Sequence, residues 1–383
     1  MGMILKNRLN AEDVREVAEK LLSEHLSFEV DGYKVTTSMV LNVLLKAAVE
    51  KRSIEAVCED LEEVVDGNTL REAVNRTLKV EELRQHEAEF NAALAACIPV
   101  EMPRQGLELA IDFHDEPFYG SSESLRTYTV RGEAHEGTTY FWRIATLYGI
   151  WRGGRVTLAL TYVLPNESTL SVVQRLLQRR AVLGFTPTVL YLDKGFCSGD
   201  IITYLQEEAR LPTVIACPIR GKKGKGGTRA LCKGRQHYRI PYTFTDGTSA
   251  DLAVVPTLKR NNKTGKQQRT WLIYVLIHLD WSAKKAQQRY RRRFGIEASY
   301  RQLGIVRAHT NSRNPALRFF YLALALLLVN LWVYLRCLCT RVLGQGPFRL
   351  DLNRFRFARF ITFLRRAIEQ AYGTTMSIPI YSR

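Results

Sequence analysis

Three features are scarce or missing in this 383-residue sequence: paired cysteines, an N-terminal signal segment and acidic side chains. The seven cysteines form no C-x-x-C pair, and Cys337 and Cys339 lie too close together for a zinc knuckle. A reduced protein is therefore expected, not a disulfide scaffold. The N-terminal stretch has no apolar signal core, and Lys6 breaks the myristoylation pattern. We expect a cytoplasmic protein.

The shortage of acidic residues gives the chain a strong positive charge. It has 55 Lys and Arg residues against 38 Asp and Glu residues, a net charge of +17. This balance is too basic for a typical metabolic enzyme and indicates a polyanionic partner, either nucleic acid or an anionic membrane. The excess is uneven, because the residues up to Phe90 include 12 basic and 19 acidic side chains. The basic character therefore belongs to the remainder of the chain.

One apolar run is long enough to raise the alternative of a membrane protein. It extends from Phe319 to Leu335 between Arg318 and Arg336, close to the lower length limit for a membrane span. Asn330 interrupts it, and no second run of this kind occurs. We therefore interpret it as a buried helix and expect no membrane partner.

The two ends of the chain differ from its middle in their sequence patterns. Residues 1–98 show helical periodicity and predict an all-α N-terminal domain, a candidate for binding DNA ends. Within it, two short helices are predicted around the turn at Asp66, with Thr69 as a candidate N-cap. They suit a helix-turn-helix or a plain helical hairpin. Residues 346–383 predict a basic amphipathic C-terminal tail, which we expect to contact DNA.

The middle of the chain predicts a mixed α/β domain. Its patterns predict the order β-β-β-α-β-α-β, then a strand-rich insertion at about residues 220–280, then a helix. That order is typical of the ribonuclease-H-like fold, in which the first strand lies beside the fourth. "LELAIDF" is predicted as the first strand and "TPTVLYLDKGF" as the fourth.

Three carboxylates can meet in such a fold. Asp112 and Asp193 end the first and fourth predicted strands, and Glu297 lies on the helix after the insertion. Phosphodiester hydrolysis uses two Mg²⁺ ions roughly 3.5–4 Å apart, and these hard cations require oxygen ligands. Asp115 is a rival for the place of Asp112. His114 is expected to be packed or to face a phosphate, not to bind metal.

The stretch "YRRRFGIEASYRQLG" places Glu297 among arginines. Tyr290, Arg293, Glu297, Arg301 and Gly304 are spaced by three or four residues and share one helical face. Arginines beside a metal ligand can hold the scissile phosphate. In the alternative interpretation, Glu297 is only an ion-pair partner of a neighbouring arginine.

The spacing Tyr290-x-x-Arg293-x-x-x-Glu297 resembles the signature of DDE transposases of prokaryotic insertion sequences, in the family named for insertion sequence four. "LDKGF" and "IDFHDEPFYG" are similar to its two aspartate motifs, and the resemblance covers roughly residues 105–340. It implies a catalytic domain at 105–345, in which Asp112, Asp193 and Glu297 bind two Mg²⁺ ions, with Mn²⁺ as a substitute.

The resemblance also implies an activity and its partners. The enzyme would bind the terminal inverted repeats of a transposon, cleave the ends and join the 3′-hydroxyl to target DNA. It implies a homodimer in the DNA complex, association with the nucleoid, and cut-and-paste movement with a DNA hairpin as one route.

Five residues are expected to contact the DNA: Tyr290, Arg293, Arg301, Arg307 and Lys194. The chain departs from the family pattern at Gly304, where a lysine is common. Arg301 or Arg307 can supply that charge.

Two other functions remain open. The chain can be a DNA-binding remnant that has lost catalysis, against which the complete set of carboxylates counts. It can also be another ribonuclease-H-like nuclease, such as a junction resolvase. The tyrosine–arginine–glutamate spacing favours the transposase.

Overall fold

The helices and strands alternate along the chain much as their patterns predict. A computed structural model describes residues 8–28, 30, 32–151, 154–222, 226–260, 265, 267–294, 304–339, 351 and 353–377. Its helices are α1 (Ala11–His25), α2 (Thr37–Glu50), α3 (Ile54–Asp60), α4 (Gly67–Thr77), α5 (Leu83–Ala96), α6 (Glu123–Arg126), α7 (Thr169–Val182), α8 (Gly199–Thr203), α9 (Ala283–Phe294), α10 (Pro315–Cys339) and α11 (Phe357–Tyr372). Its strands are β1 (Gln105–Pro117), β2 (Val130–His135), β3 (Thr138–Trp151), β4 (Gly154–Val163), β5 (Thr186–Leu192), β6 (Thr213–Cys217), β7 (Tyr238–Thr243), β8 (Ser249–Arg260) and β9 (Gln267–Ile277).

All nine of these strands form one sheet. Its order is β2-β3-β1-β5-β6-β9-β8-β7, and β4 also pairs with β3. The pairs β1–β5 and β5–β6 are parallel, whereas β1, β3 and β4 form an antiparallel meander. The strands β4, β3, β1, β5 and β6 lie side by side in that order. If the short β2 is left out and these five strands are renumbered along the chain, the order is 3-2-1-4-5. The first strand therefore lies beside the fourth, as the ribonuclease-H-like fold requires.

The predicted strand-rich insertion extends this same sheet. β9 pairs antiparallel with β6, and β8 and β7 follow outward. After β9 the chain returns as α9, which packs over the face that carries Tyr148, Tyr191 and Tyr274. The insertion therefore brings α9 back across the ends of β1 and β5.

The outer edge of β4 is covered by side chains from two helices. Asn330 of α10 accepts a hydrogen bond from the Thr157 N–H (2.9 Å) and donates one to its carbonyl (2.7 Å). Asn91 of α5 makes the same pair of bonds with Leu160, at 2.8 and 2.9 Å. An open edge strand invites pairing with other chains, and these two amides close it.

The long apolar helix α10 is a core helix of this fold. Among the described residues it is long and apolar enough to cross a membrane, but 83 % of its most apolar stretch is buried in the protein. Asn330 is fully buried and hydrogen-bonded to β4, which satisfies its polar side chain inside the core. Burial against the sheet therefore accounts for the apolar sequence.

The turn between α3 and α4 differs in one detail from its prediction. The N-cap of α4 is Asp66, whose side chain accepts hydrogen bonds from the backbone of Asn68 and Thr69. Thr69 itself donates its hydroxyl to Asp66, so the prediction of Thr69 as the cap was wrong. A Cβ added at Gly67 would lie 2.6 Å from the Glu55 Cα, so glycine permits the close approach of the two helices.

The C-terminal helix α11 packs against α1 and α2. It buries Phe357, Phe360, Leu364, Ala367 and Ile368, and leaves its arginines on the outer face. The Lys46 ammonium of α2 is buried beneath it, 2.6 Å from Glu50 and 2.9 Å from Glu369. The amphipathic helix predicted near the C-terminus is thus present as part of a packed three-helix contact.

Candidate active site

Asp112 and Asp193 lie side by side where the parallel pairing of β1 and β5 stops. The last pair in that ladder is Ile111 with Leu192, so each aspartate is the residue that comes next along the chain. β1 itself does not end at Asp112, as the sequence suggested, but continues along β3 until Pro117 pairs with Phe141. The predicted neighbourhood of the two aspartates is correct, although only β5 ends there.

Arg293 of α9 joins these two carboxylates. Its Nη2 donates to Asp112 Oδ1 at 2.8 Å, and its Nη1 lies 3.7 Å from Asp193 Oδ1. The Arg293 side chain is 9 % exposed, whereas Asp112 is 19 % and Asp193 41 % exposed. The positive charge is therefore inside, and the acids reach toward solvent.

The charge state of Arg293 follows from this position. Burial acts to lower the pKa of Arg293, because a desolvated guanidinium loses hydration. The Asp112 carboxylate acts in the opposite direction and, together with Tyr290, Tyr148 and Asp193, outweighs burial, so the pKa of Arg293 is raised. Arg293 is a permanent cation at the junction of the two strands.

Tyr290 holds the same junction from one helical turn earlier. Its hydroxyl donates to the Leu192 carbonyl at 3.1 Å, and its ring packs against Tyr191 and Tyr274. Burial raises the pKa of Tyr290, which keeps the hydroxyl protonated as a donor. The side chain is 2 % exposed, which is unfavourable for the direct DNA contact expected of it. Its contacts instead suit the positioning of Arg293 and of the residue that precedes Asp193.

The "LDKGF" turn is anchored by its last residue. Phe196 is fully buried and stacks on Phe113, with ring centroids 4.4 Å apart and planes at 14°. Because Phe113 follows Asp112, this stacking ties the two aspartate-bearing segments together. Lys194 and Gly195 are exposed next to Asp193, so Lys194 can reach an anionic ligand.

Asp115, the rival of Asp112, points to the opposite face of β1. Side chains alternate along a strand, so residues 112 and 115 project to different sides. Arg143 binds both Asp115 oxygens, with Nε to Oδ1 and Nη2 to Oδ2 at 2.6 Å each. The geometry favours Asp112 as the partner of Asp193.

The acidic face of β1 was only partly found from the sequence. Glu108 and Glu116 lie four residues on either side of Asp112 and share its face. Glu108 accepts hydrogen bonds from Arg289 (2.9 Å) and Arg292 (2.8 Å), and Glu116 accepts one from Arg318 (2.7 Å). The acid spacing of four in "ELAIDFHDE" is the signal that could have revealed them.

His114 and Arg307 lie on this face beyond Asp112. The Arg307 Nη1 is 3.4 Å from His114 Nε2 and 3.9 Å from Glu116 Oε2. Burial, and then the charge of Arg307, lower the pKa of His114 to about 4. The imidazole is therefore neutral at pH 7.

The third predicted carboxylate, Glu297, lies outside the described residues, as does Arg301. Gly304 is described at the start of the segment that contains Arg307. Within the described part of the chain, no group of three His, Cys, Asp or Glu side chains is arranged to hold a metal ion. Asp112 and Asp193 supply oxygen donors only and already flank one cation, Arg293, so their position fits a hard divalent ion.

Comparisons with known proteins agree with this geometry. Residues 153–331 match a family model described as the transposase DDE domain. These findings support a DNA transposase. The matched segment contains Asp193 and α9 but begins after Asp112. No curated protein sequence matches the chain.

The fold is also similar to that of a solved transposase. In the cryo-EM structure of the piggyBac transposase synaptic complex with hairpin DNA, the similarity covers 94 % of this chain and 80 % of that chain, with a TM-score of 0.58 and 11 % identity. The ribonuclease-H-like α/β fold class is thereby confirmed. Assignment to the family named for insertion sequence four remains a prediction.

Proposed function

We propose that the chain is a DDE transposase that cleaves transposon ends and transfers the 3′-hydroxyl strand to target DNA. The observation that carries this proposal is the meeting of Asp112 and Asp193 at the end of the β1–β5 pair, bridged by Arg293. The match to a transposase DDE domain supports it. Asp112, Asp193 and, from the sequence, Glu297 would hold two Mg²⁺ ions, with Mn²⁺ as a substitute.

Such ions supply a nucleophilic hydroxide and neutralise charge on the leaving oxygen. The protein's own residues have separate tasks. Arg293 keeps the two aspartates together and turned toward the same point. Tyr290 fixes the Leu192 carbonyl and with it the chain direction into Asp193. Lys194, Arg307 and Arg301 are proposed to contact DNA phosphates around the scissile bond.

The partners follow from this chemistry and from the charge of the chain. We propose that it binds terminal inverted repeats and target DNA as a homodimer, in the cytoplasm at the nucleoid. The net charge of +17 favours a duplex, which presents one phosphate about every 1.7 Å along its axis. The similar piggyBac enzyme was solved as a synaptic complex with hairpin DNA, which supports the pairing of ends and a hairpin route.

The test is single-turnover cleavage, in Mg²⁺, of a duplex that carries the sequence flanking the reading frame. Asp193→Asn is expected to lower the rate about 10³-fold, since one metal ligand contributes several kcal/mol to the transition state. The DNA affinity should stay within about twofold of the wild-type value, because basic side chains and not this aspartate bind the phosphates of the duplex. Asp193 suits this test because it is 41 % exposed and not the nearest acid to Arg293.

The matched control is Asp200→Asn. Asp200 is an exposed acid on α8, hydrogen-bonded to Ser198. It should leave cleavage unchanged. Equal loss in both variants, or undiminished cleavage in a chelator, would contradict the proposal.

A further inference from the structure

A cleft of about 500 Å³ is lined by residues of β1, β2, β3 and β4 and of the loop that leads into α7. Phe113 and Arg143 line it, and both project away from the Asp112 side of their strands. Further lining comes from Tyr140, from Thr169 at the start of α7, and from two arginines, Arg126 and Arg131. Nothing in the proposed cleavage chemistry uses this cleft.

The two arginines share one aromatic support. The guanidinium carbons of Arg126 and Arg131 lie 5.0 and 5.3 Å from the centroid of the Tyr140 ring. Cation–π contact of this kind holds a guanidinium in place without neutralising its charge. Both arginines are exposed, and no carboxylate among the described residues lies within ion-pair distance of either one. The N–H donors of both guanidiniums are thus held in place and are available to bind an anion.

The other charged groups of the cleft are already matched. Arg143 is paired with Asp115 through two hydrogen bonds of 2.6 Å. Glu167 is bound by Arg84 at 2.7 Å and by Arg175 at 2.6 Å. The net field in the cleft is therefore positive and comes mainly from Arg126 and Arg131. The positive end of the α7 dipole adds to it.

The cleft is linked to the aspartate pair through one residue of β1. Phe113, which lines the cleft, is the neighbour of Asp112 and stacks on Phe196 of the "LDKGF" turn. β1 continues beyond the end of β5, so its last residues have the exposed Lys194 turn on one side. One wall of the cleft is therefore the residue next to Asp112.

We propose that this cleft is a second DNA-backbone site. In it, Arg126 and Arg131 bind phosphates of the duplex that continues past the aspartates, and Tyr140 holds the two guanidiniums. The ligand class is the DNA phosphodiester. Arginine suits it because its planar donors can bind a phosphate in pairs. The inference rests on the proposed transposase function for the identity of the polyanion.

The test uses the full chain carrying Asp193→Asn, so that no DNA is cleaved during binding. The affinity for a short duplex of arbitrary sequence is measured by fluorescence anisotropy over a series of salt concentrations. Arg126→Gln with Arg131→Gln should lower the slope of log K against log salt by about two, roughly one for each phosphate contact.

The control for charge alone is Arg76→Gln with Arg210→Gln. These two arginines are also exposed, and they lie on α4 and after α8, away from the cleft lining. Their loss changes the net charge equally and should leave the slope unchanged. If the control lowers the slope as much, or the cleft variant does not lower it, the cleft is not a phosphate site.

A second pair of variants tests the aromatic support. Tyr140→Leu keeps both arginines but removes the ring, and should weaken binding severalfold. Tyr140→Phe keeps the ring and should bind like the wild type. Equal binding by both variants would overturn the role of Tyr140.

The two proposals fail in different ways. If the wild type does not cleave in Mg²⁺ or Mn²⁺ but the cleft variant still loses two units of slope, the cleavage proposal fails and the DNA site stands. If cleavage depends on Asp193 but the slope is unchanged in the cleft variant, the DNA site fails alone.

Discussion

Among the described residues, Arg293 and Lys46 are both buried cations with two carboxylate neighbours, and the difference between them separates a candidate active site from a structural contact. Arg293 lies between Asp112 and Asp193, and Lys46 lies between Glu50 and Glu369. The exposed fraction of the side chain is 9 % for Arg293 and 1 % for Lys46. Burial of a charge therefore does not by itself identify the site.

The partners of the two cations differ in where they come from. Asp112 lies within β1 and Asp193 directly follows β5, at the point where the parallel ladder between the two strands stops. Those of Lys46 lie on packed helices, α2 and α11, where no strand ends. Strand ends leave room for a substrate, whereas a helix contact is filled by side chains. A cluster of charges is thus a candidate site when its carboxylates are exposed to solvent on the same side, as those of Asp112 and Asp193 are.

The largest expected effect comes from breaking the structural contact. A chain truncated before Asn353 loses α11 and exposes the surface that buried Phe360, Leu364 and Ile368. Each such side chain contributes about 1.5–3 kcal/mol on burial, so the loss is comparable to the whole stability of a typical domain. We expect no cooperative unfolding transition in urea for the truncated chain.

The expected role of this segment in DNA binding needs a gentler change. Arg359→Gln with Arg366→Gln removes two exposed charges from the outer face of α11 and leaves its apolar face intact. The urea midpoint should be unchanged, while the salt slope of DNA binding should fall by about two. A truncated chain that unfolds like the full chain would show that α11 is dispensable for the fold.

Local sequence patterns were sufficient to predict several helices and strands. Ser168 stands just before the helical pattern of α7, a position typical of an N-cap, and its side chain accepts a hydrogen bond from the Ser171 N–H. The apolar run before Asp193 predicted β5 and the position of its end. These features depend on neighbours in sequence, and periodicity and capping chemistry are sufficient to find them.

The features that were missed depend on residues far away in sequence. Lys46 stands in an apolar helix and is buried only because Glu369 arrives from the other end of the chain. Glu116 is matched by Arg318, about two hundred positions later. The continuation of β1 past Asp112 depends on the length of β3. No local pattern reports such pairings.

The next effect sharpens the comparison by removing one acid from each cluster. Asp112→Ala takes away the 2.8 Å partner of buried Arg293 and should cost about 3 kcal/mol of unfolding free energy. Glu369→Ala leaves Lys46 with Glu50 at 2.6 Å and should cost about 1 kcal/mol. Urea unfolding measures both. Equal costs would mean that the two clusters are energetically alike.

A smaller effect tests the geometry of Arg293. Arg293→Lys keeps the charge but cannot reach Asp112 and Asp193 with two nitrogens in one plane. We expect the cleavage barrier to rise by about 2 kcal/mol, on the scale of one lost oxyanion donor. Arg291 is exposed on another side of α9, and Arg291→Lys should be nearly silent. Similar losses in single-turnover cleavage would show that the arginines act as a diffuse basic patch.

The smallest effect is expected when the whole Lys46 cluster is made neutral. The triple variant Lys46→Met, Glu50→Gln and Glu369→Gln keeps the shape of the contact and removes all three charges. The attraction within a buried ion pair is largely offset by the cost of removing its charges from water. The unfolding free energy should therefore change by no more than about 1 kcal/mol. Lys46→Met alone is the control and should cost more, because it leaves Glu50 and Glu369 facing each other without their cation.

Cleavage should be unaffected in the triple variant, because none of the three residues belongs to the aspartate pair. A loss of cleavage there, with stability retained, would mean that the helix contact acts on the site and that the two clusters are not independent.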